Sequence, residues 1–422
     1  MKHLKKITFL FILFLFSLKV SATYLLIPMD HTQKNHLKAY GIAFWVIENN
    51  IEMDWLLNYR GGSFMVKHIK AIEEELIIRG VSFEVIANVK STAILQEIAD
   101  PEINMDVVKL QKAPKIAVYS PKNKQPWDDA VTLVLTYAEI PYEVIYDDEI
   151  IENKLPEYDW LHLHHEDFTG QYGKFYFAYK DKPWYREQVR YNEEMATRLG
   201  FSKVSQLKLA VAKNIKEFTL GGGFLFAMCS GTDALDIALA AEGLDICEAM
   251  FDGDGSTPNY NAQLDYSKTF AFTDFTLKTN PMEYEFSSID GTPKHLKTPQ
   301  KIDNFTLFEF SAKWDIVPTM LCQNHVTIIP GFYGQTTSYN KQYIKKNVLI
   351  MGENKALNVA KYIHGELGKG TWTFYGGHDP ADYQHRVGDP PTDLNLHPNS
   401  ASYRLILNNI LFPAAKKKKQ KT

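Results

Sequence analysis

The 422-residue chain has only three cysteines: Cys229, Cys247 and Cys322. A disulfide-stapled scaffold is excluded, because such frameworks need dense, paired cysteines. Either Cys247 and Cys322 pair and leave Cys229 over, or all three stay free. Long apolar runs are scarce too. Past residue 22 no stretch approaches the roughly 20 residues that a membrane-crossing helix needs. Excess positive charge is missing. The formal net charge is −4, which disfavours a general nucleic-acid role. No clear tandem repeat runs through the chain, so a repeat array is not expected.

What is present begins at the ends. Lys2, Lys5 and Lys6 precede an apolar run over 7–18, and Val20-Ser21-Ala22 fits a small-residue cleavage pattern. Residues 1–22 read as a signal peptide cut near Ala22. They predict an exported protein, periplasmic or secreted. Without them four lysines go and the formal charge becomes −8. At the other end, residues 416–422 form a basic tail. It reads as a solvated end, with weak contact to an anionic surface as the alternative.

About 400 mature residues, 45% apolar overall, predict two or three domains. Strand patterns at 24–29, 51–58 and 82–86 alternate with helix patterns at 36–48 and 67–79. That alternation predicts a small parallel α/β domain over 23–112. Tyr59-Arg60-Gly61-Gly62-Ser63 reads as a plain turn ahead of an anion-holding loop. Lys112-Ala113-Pro114 marks a boundary, after which the alternation restarts. Strands at 115–119, 142–146, 160–164 and 224–228 interleave with helices at 127–138, 207–219 and 233–241. This is the order of a doubly wound parallel sheet, whose ligands bind beyond the carboxyl ends of the strands. Residues 243–345 break the pattern and read as a β-rich insertion or lid. Asp252-Gly253-Asp254-Gly255 within it reads as a turn rather than a calcium loop. The parallel fold is expected to resume at 347–351, with a strand at 371–375 and a last helix ending at 411. The second domain therefore comprises 113–242 and 346–415.

Three segments carry chemistry. In Gly221-Gly222-Gly223-Phe224-Leu225-Phe226-Ala227-Met228-Cys229-Ser230-Gly231, a glycine run feeds a strand that ends in a cysteine before a helix. That is the shape of a nucleophile elbow. The helix dipole favours the Cys229 thiolate, and the amides of Ser230 and Gly231 are placed to hold an oxyanion. In Trp160-Leu161-His162-Leu163-His164-His165-Glu166-Asp167 the last residues fall at a strand end. His165 or Glu166 is then able to deprotonate or orient the thiol. In Gly377-His378-Asp379-Pro380 an imidazole stands beside a carboxylate, as a base and its orienter would, and Asp382, His385 and His397 follow. The hairpin pattern of 361–370 adds His364 and Glu366 as lesser candidates. His164, His165 and His378 also make a set able to hold zinc. Aromatic residues around Phe175-Tyr176-Phe177-Ala178-Tyr179 and Trp184-Tyr185 fit sugar stacking as well as they fit a core.

The elbow from Gly221 to Leu235 resembles that of class I glutamine amidotransferase-like proteins. Near the C-terminus, Val348-Leu349-Ile350-Met351, then Leu367-Gly368-Lys369-Gly370-Thr371-Trp372-Thr373-Phe374-Tyr375-Gly376-Gly377-His378-Asp379, then a helix with Arg404 and Asn408-Asn409, resemble the ThuA-like branch. The likeness covers roughly 113–415. It implies a flavodoxin-like sheet, Cys229 as nucleophile and His378 as base. Pro380 stands where the amidotransferase triad places a glutamate two residues after its histidine. Exported chains similar to this one are often labelled asparagine synthetase B. That label implies a catalytic cysteine after the initiator methionine and a Ser-Gly-Gly-x-Asp-Ser pyrophosphate loop. The chain starts Met1-Lys2, and Ser230-Gly231-Thr232-Asp233 only echoes the loop. Glutamine-dependent asparagine synthesis is therefore not expected.

The leading expectation is an exported cysteine-dependent hydrolase or amidase acting on a small molecule, glycan or peptide, with no cofactor required. Cys229 attacks, His378 or His165 moves the proton, and Glu166 or Asp379 orients the base. One alternative is a metal-dependent hydrolase built on the histidines. The other is a non-catalytic protein that binds glycans or cell surfaces.

Overall fold

The structure is a computed structural model that describes residues 23–123, 125–384 and 386–416. The signal peptide call on 1–22, His385, and the basic tail beyond Lys416 lie outside the described residues. Among the described residues no helix is long and apolar enough to cross a membrane.

The N-terminal unit is α/β, but its sheet is antiparallel, not the parallel layer expected. Its strands β1 (Thr23–Ile27), β2 (Met53–Leu57), β3 (Ser63–Lys67), β4 (Glu84–Ala87) and β5 (Asp106–Leu110) lie in the order β4-β1-β3-β2-β5. Every neighbouring pair runs antiparallel. The reason is the turn at Tyr59-Arg60-Gly61-Gly62. Arg60, Gly61 and Gly62 take φ of 46°, 76° and 88° there, which reverses the chain within a few residues. A parallel pair would need a crossover of a dozen residues or more. The segment after the turn is β3, which has no alternation strong enough to stand out in the sequence.

Helix α1 (His36–Glu48) covers one face of this sheet, and α3 (Asn88–Ala99) the other. Leu25, Ile27, Trp55 and Phe64 pack with α1. Leu26, Leu56 and Met65 pack with Ile94 and Ile98 of α3. The alternation along each strand is thus a two-faced burial, with period two. Helix α2 (Lys70–Ile78) adds Ile72 and Leu76 to the first face.

The second unit is a ten-stranded mixed sheet. Its parallel part comprises β6 (Ile116–Tyr119), β7 (Glu143–Ile145), β8 (Trp160–Leu163), β9 (Phe224–Met228) and β15 (Gly370–Tyr375), in the spatial order β7-β6-β8-β9-β15. Val118, Trp160, Phe226 and Met228 pack with α4 (Ala130–Ala138) and α8 (Ala401–Leu411). Tyr119, Leu163, Leu225 and Ala227 pack with α6 (Val204–Gly221) and α7 (Ser230–Ala240). Between these elements, α5 (Pro183–Arg198) lies along α6.

Two expectations for the C-terminal half need correction. The segment at 347–351 does not resume the parallel sheet. It begins β13 (Leu349–Asn354), antiparallel to β14 (Val359–Leu367), which is antiparallel to β15. A four-residue connection between β13 and β14 and a two-residue turn at Gly368-Lys369 leave no room for a crossover helix. The stretch 243–345 is mostly loop. Its short strands β10 (Asn304–Leu307), β11 (Ile328–Pro330) and β12 (Tyr339–Asn340) extend the main sheet rather than form a separate one.

The two units are joined face to face at α1, α4 and α8. Arg404 of α8 is fully buried. Its Nη1 donates to the Met29 carbonyl (3.0 Å) and its Nη2 to the Gly61 carbonyl (2.6 Å). Beside it the His36 and His325 rings stack at 4.2 Å. Burial, then the Arg404 charge, depresses His36 to about 4, against opposing contacts with Asn399 Oδ1 and the Met29 carbonyl. His325 falls to about 3 by burial, then by His36, Arg404 and His31.

Both folded-state values lie below the unfolded value near 6.5. Their contribution to stability is therefore full above about pH 6.5 and is lost as pH falls toward 4. His36 alone carries on the order of 2–3 kcal/mol of this. Thermal unfolding from pH 7.5 to 4.5 checks the point. The His36→Gln variant should lose less of its melting temperature across that window than wild type, and equal slopes would refute the assignment.

Candidate functional site

Strand register places the site. Tyr375 pairs with Met228, and Leu163 with Ala227. The residues that follow these strands therefore emerge together at the carboxyl edge of the parallel sheet. They are His164 to Asp167, Cys229, and Gly376 to Asp379. Cys229, His165 and His378 line one cavity of about 360 Å³, with Trp127, Phe175, Tyr179, Tyr284, Tyr333 and Gln335 also in its walls. Sulfur and two imidazoles thus share one cavity wall.

Cys229 sits between β9 and α7 with φ 49° and ψ −138°. A side-chain-bearing residue in such a region costs about 1–3 kcal/mol and persists only where its surroundings enforce it. The turn is held by the Gly231 amide, which donates to the His164 carbonyl at 2.7 Å. A Cβ at Gly231 would lie 2.6 Å from that oxygen, so glycine is required.

This bond also changes one expectation. The Gly231 amide is committed to His164 and is not an oxyanion donor. The Cys229 sulfur instead accepts from the Gln335 amide at 3.2 Å. Burial pushes its thiol up to about 11, while the amides of Thr336, Gln335 and Ser230 pull the other way. Ser230 Oγ is fully buried without a hydrogen-bond partner. All three cysteines are free thiols. Burial holds Cys247 and Cys322 further above their ordinary range than Cys229.

The imidazoles form a chain. The His164 ring lies 4.4 Å from that of His378, and His165 lies 5.6 Å from His378. Asp129 caps α4 by accepting from the Val131 and Thr132 amides through Oδ1. Its Oδ2 faces His162 Nε2 (3.1 Å) and His164 Nδ1 (3.3 Å). Burial disfavours charge on both rings. For His164 the Asp129 and Glu166 carboxylates outweigh burial and raise the ring above its ordinary value, whereas His162 is lowered. Glu166 Oε1 lies 3.7 Å from His165 Nε2. Burial, then the Asp129 charge, lifts Glu166 to about 7. The Trp127 indole also donates to His165 Nε2.

Asp379 does not orient the base. Its Oδ1 accepts from Tyr403 (2.8 Å) and the Ala381 amide, and its Oδ2 accepts from Thr392 (2.5 Å). It ties the loop after β15 to α8. His364 is buried in β14 against Thr373, and burial lowers it to about 4. Phe175, Tyr179 and Trp184 do cluster with Trp127, with ring centroids 5.2 to 5.6 Å apart. Phe177 is exposed.

Sequence reasoning missed Trp127, Asp129, Gln335 and Thr336. Asp129 had a legible signal as an acidic N-cap before a helix pattern. Gln335 and Thr336 had none.

Among the described residues, three groupings of His, Cys and acidic side chains could hold a metal ion. His164, His165 and His378 offer ligand atoms within 4.8 Å of one another, as do Asp129, His162 and His164. The third, Asp245, Cys247 and Asp252, already faces the Lys203 ammonium, which pairs with both acids.

No protein-family model matches this chain, and no curated protein matches it. Among solved structures it is similar to two cytoplasmic proteins of Salmonella typhimurium. Each is 10% identical at a TM-score of 0.34, over 72% of this chain and all of theirs. It is also similar to Gan42B, a GH42 beta-galactosidase. That match is 9% identical at a TM-score of 0.28, over 64% of this chain and 28% of that one.

Proposed function

We propose that the protein is an exported cysteine-dependent hydrolase that cleaves an amide or related acyl bond in a small molecule, glycan or peptide. We read its parallel core as a flavodoxin-like, doubly wound sheet of the class I glutamine amidotransferase-like kind, close to the ThuA-like branch. The observation that carries this reading is the strained backbone of Cys229 at a helix N-terminus, on the wall of a cavity shared with two histidines. Strain of that kind is retained where it serves to aim a side chain.

The base role falls to His378, which lines the cavity with Cys229 at the end of the strand beside β9. His378 takes the thiol proton as sulfur bonds to the carbonyl carbon. The imidazolium returns that proton to the leaving nitrogen as the C–N bond breaks. Water then cleaves the thioester and releases the acid.

Iodoacetamide labelling tests the reading. Cys229 should be alkylated at least tenfold faster than Cys247 or Cys322, with the rate still rising past pH 10 because burial pushes the thiol up to about 11. Equal rates at the three positions would remove Cys229 as the nucleophile.

A second reading, a zinc-dependent hydrolase, has its own support. His164 Nε2 is fully buried without a hydrogen-bond partner, and Asp129 stands behind Nδ1 as a carboxylate does behind a metal-bound histidine. His164, His165 and His378 would hold the ion and leave one position open. Elemental analysis separates the two readings. A metal-free sample with undiminished activity excludes zinc.

A further inference from the structure

Residues 331–338 have no regular secondary structure, yet the segment is fixed at nearly every residue. The Gly331 amide donates to the Asp303 carbonyl at 2.8 Å. The buried Lys361 ammonium grips two carbonyls of the segment, Phe332 at 2.5 Å and Thr337 at 3.0 Å. Between them, the His378 amide donates to the Tyr333 carbonyl (2.7 Å) and the Gly377 amide to the Thr336 carbonyl (2.8 Å). Thr336 Oγ1 donates to Asp233 Oδ1 at 2.9 Å, which ties the segment to the first turn of α7. At its end Ser338 Oγ meets His295 Nε2 at 2.9 Å, and His295 Nδ1 meets Asp303 at 2.9 Å. A loop this constrained is preorganised, and what it presents is the Gln335 amide, 3.2 Å from the Cys229 sulfur.

The buried Ser338, His295 and Asp303 have the order of a hydrolytic triad, but none of them lines the cavity. They serve here as a clamp on the segment.

We propose that residues 331–338 are the oxyanion strap of this site, with the amides of Gln335 and Thr336 receiving the charge that develops when Cys229 attacks a carbonyl. The assignment rests on the cysteine hydrolase reading above and specifies its substrate as a carbonyl compound. In the resting protein the sulfur itself accepts the Gln335 bond. On attack the charge passes from sulfur to the carbonyl oxygen, two bonds away, and the fixed donors stabilise it without reorganising. Lys361 and His295 are then positioning residues that act through the strap. The Gly231 amide is spent on His164, so the helix after the cysteine offers the Ser230 amide alone and the other donors come from the insertion.

The test uses the full chain and no substrate. Proline at 335 removes the amide donor. The Gln335→Pro variant should alkylate about tenfold more slowly at pH 8, with its pH–rate midpoint about one unit higher. Hydrogen exchange gives a second measurement that needs no proline. In Cys229→Ala the Gln335 and Thr336 amides lose their acceptor and should exchange at least tenfold faster than in wild type. That measurement decides alone where the proline variant does not fold. Wild-type alkylation in Gln335→Pro, or unchanged exchange in Cys229→Ala, would overturn the strap. Preferential labelling of Cys229 in wild type would still stand, so failure here is distinct from failure of the hydrolase reading.

Discussion

Replacing Cys229 with serine should lower turnover of an acyl-amide substrate by at least ~10³-fold while leaving the fold intact. The oxygen is smaller than sulfur and far less acidic, so an imidazole that serves a thiol leaves the alcohol almost entirely protonated. Removal of the side chain does not empty a large core position, because sulfur here faces a cavity and a set of amides. Stability should therefore change by less than about 1 kcal/mol. A panel of N-acyl sugars, amino-acid amides and short peptides, read by intact-mass trapping of the thioester, supplies the assay. Serine at 229 with full turnover, together with loss of turnover in His164→Ala, would transfer the chemistry to the zinc reading.

The second large effect is structural. Arg404→Met should destabilise the protein by about 1–3 kcal/mol, or release the N-terminal unit before the main sheet melts. Arg404 is fully buried, and its guanidinium satisfies carbonyls from two different loops of that unit, at Met29 and Gly61. Truncation strands the Gly61 carbonyl, at a cost of about 1–3 kcal/mol, while the Met29 carbonyl keeps its contact with His36 Nε2. Relief of burying a charge offsets part of that loss. Lysine should fail almost as badly, since one ammonium does not span two diverging carbonyls as a planar fork does. The same substitution removes the charge that depresses His36 and His325, so the acid-induced loss of stability should shrink with it. Denaturant unfolding at pH 7.5 and pH 5 reads both effects. A single transition of wild-type midpoint would contradict the assignment.

Much of the main sheet was legible because its strands are short apolar runs bounded by turn residues. Phe224–Met228 and Trp160–Leu163 stand out by composition alone, and each ends where a chemically distinctive residue follows. The elbow was legible for the same reason, since a glycine run, a strand and a small-residue turn announce it locally. The strap was not. Residues 331–338 carry no periodicity, and their conformation is held by partners such as Asp303, Lys361 and His295, which reach them through tertiary contacts. Asp379 shows the opposite error. Adjacency to His378 in the chain suggested a catalytic pair, but at the end of a strand neighbouring side chains diverge, and Tyr403 and Thr392 claim the carboxylate. The parallel reading of 23–112 failed because β3 was not seen. Without it, two strands joined by a tight turn looked like two strands separated by a helix.

Local chemistry in the chain determined which strands and helices form and which residue is the candidate nucleophile, because propensity, apolar period and turn glycines act over a few neighbours. Only the folded molecule decided strand direction in the N-terminal sheet, the protonation preferences of the buried histidines, and the identity of the amides around sulfur. Those properties depend on groups brought within a few ångströms from opposite ends of the chain, and distance in space sets desolvation, charge coupling and hydrogen bonding.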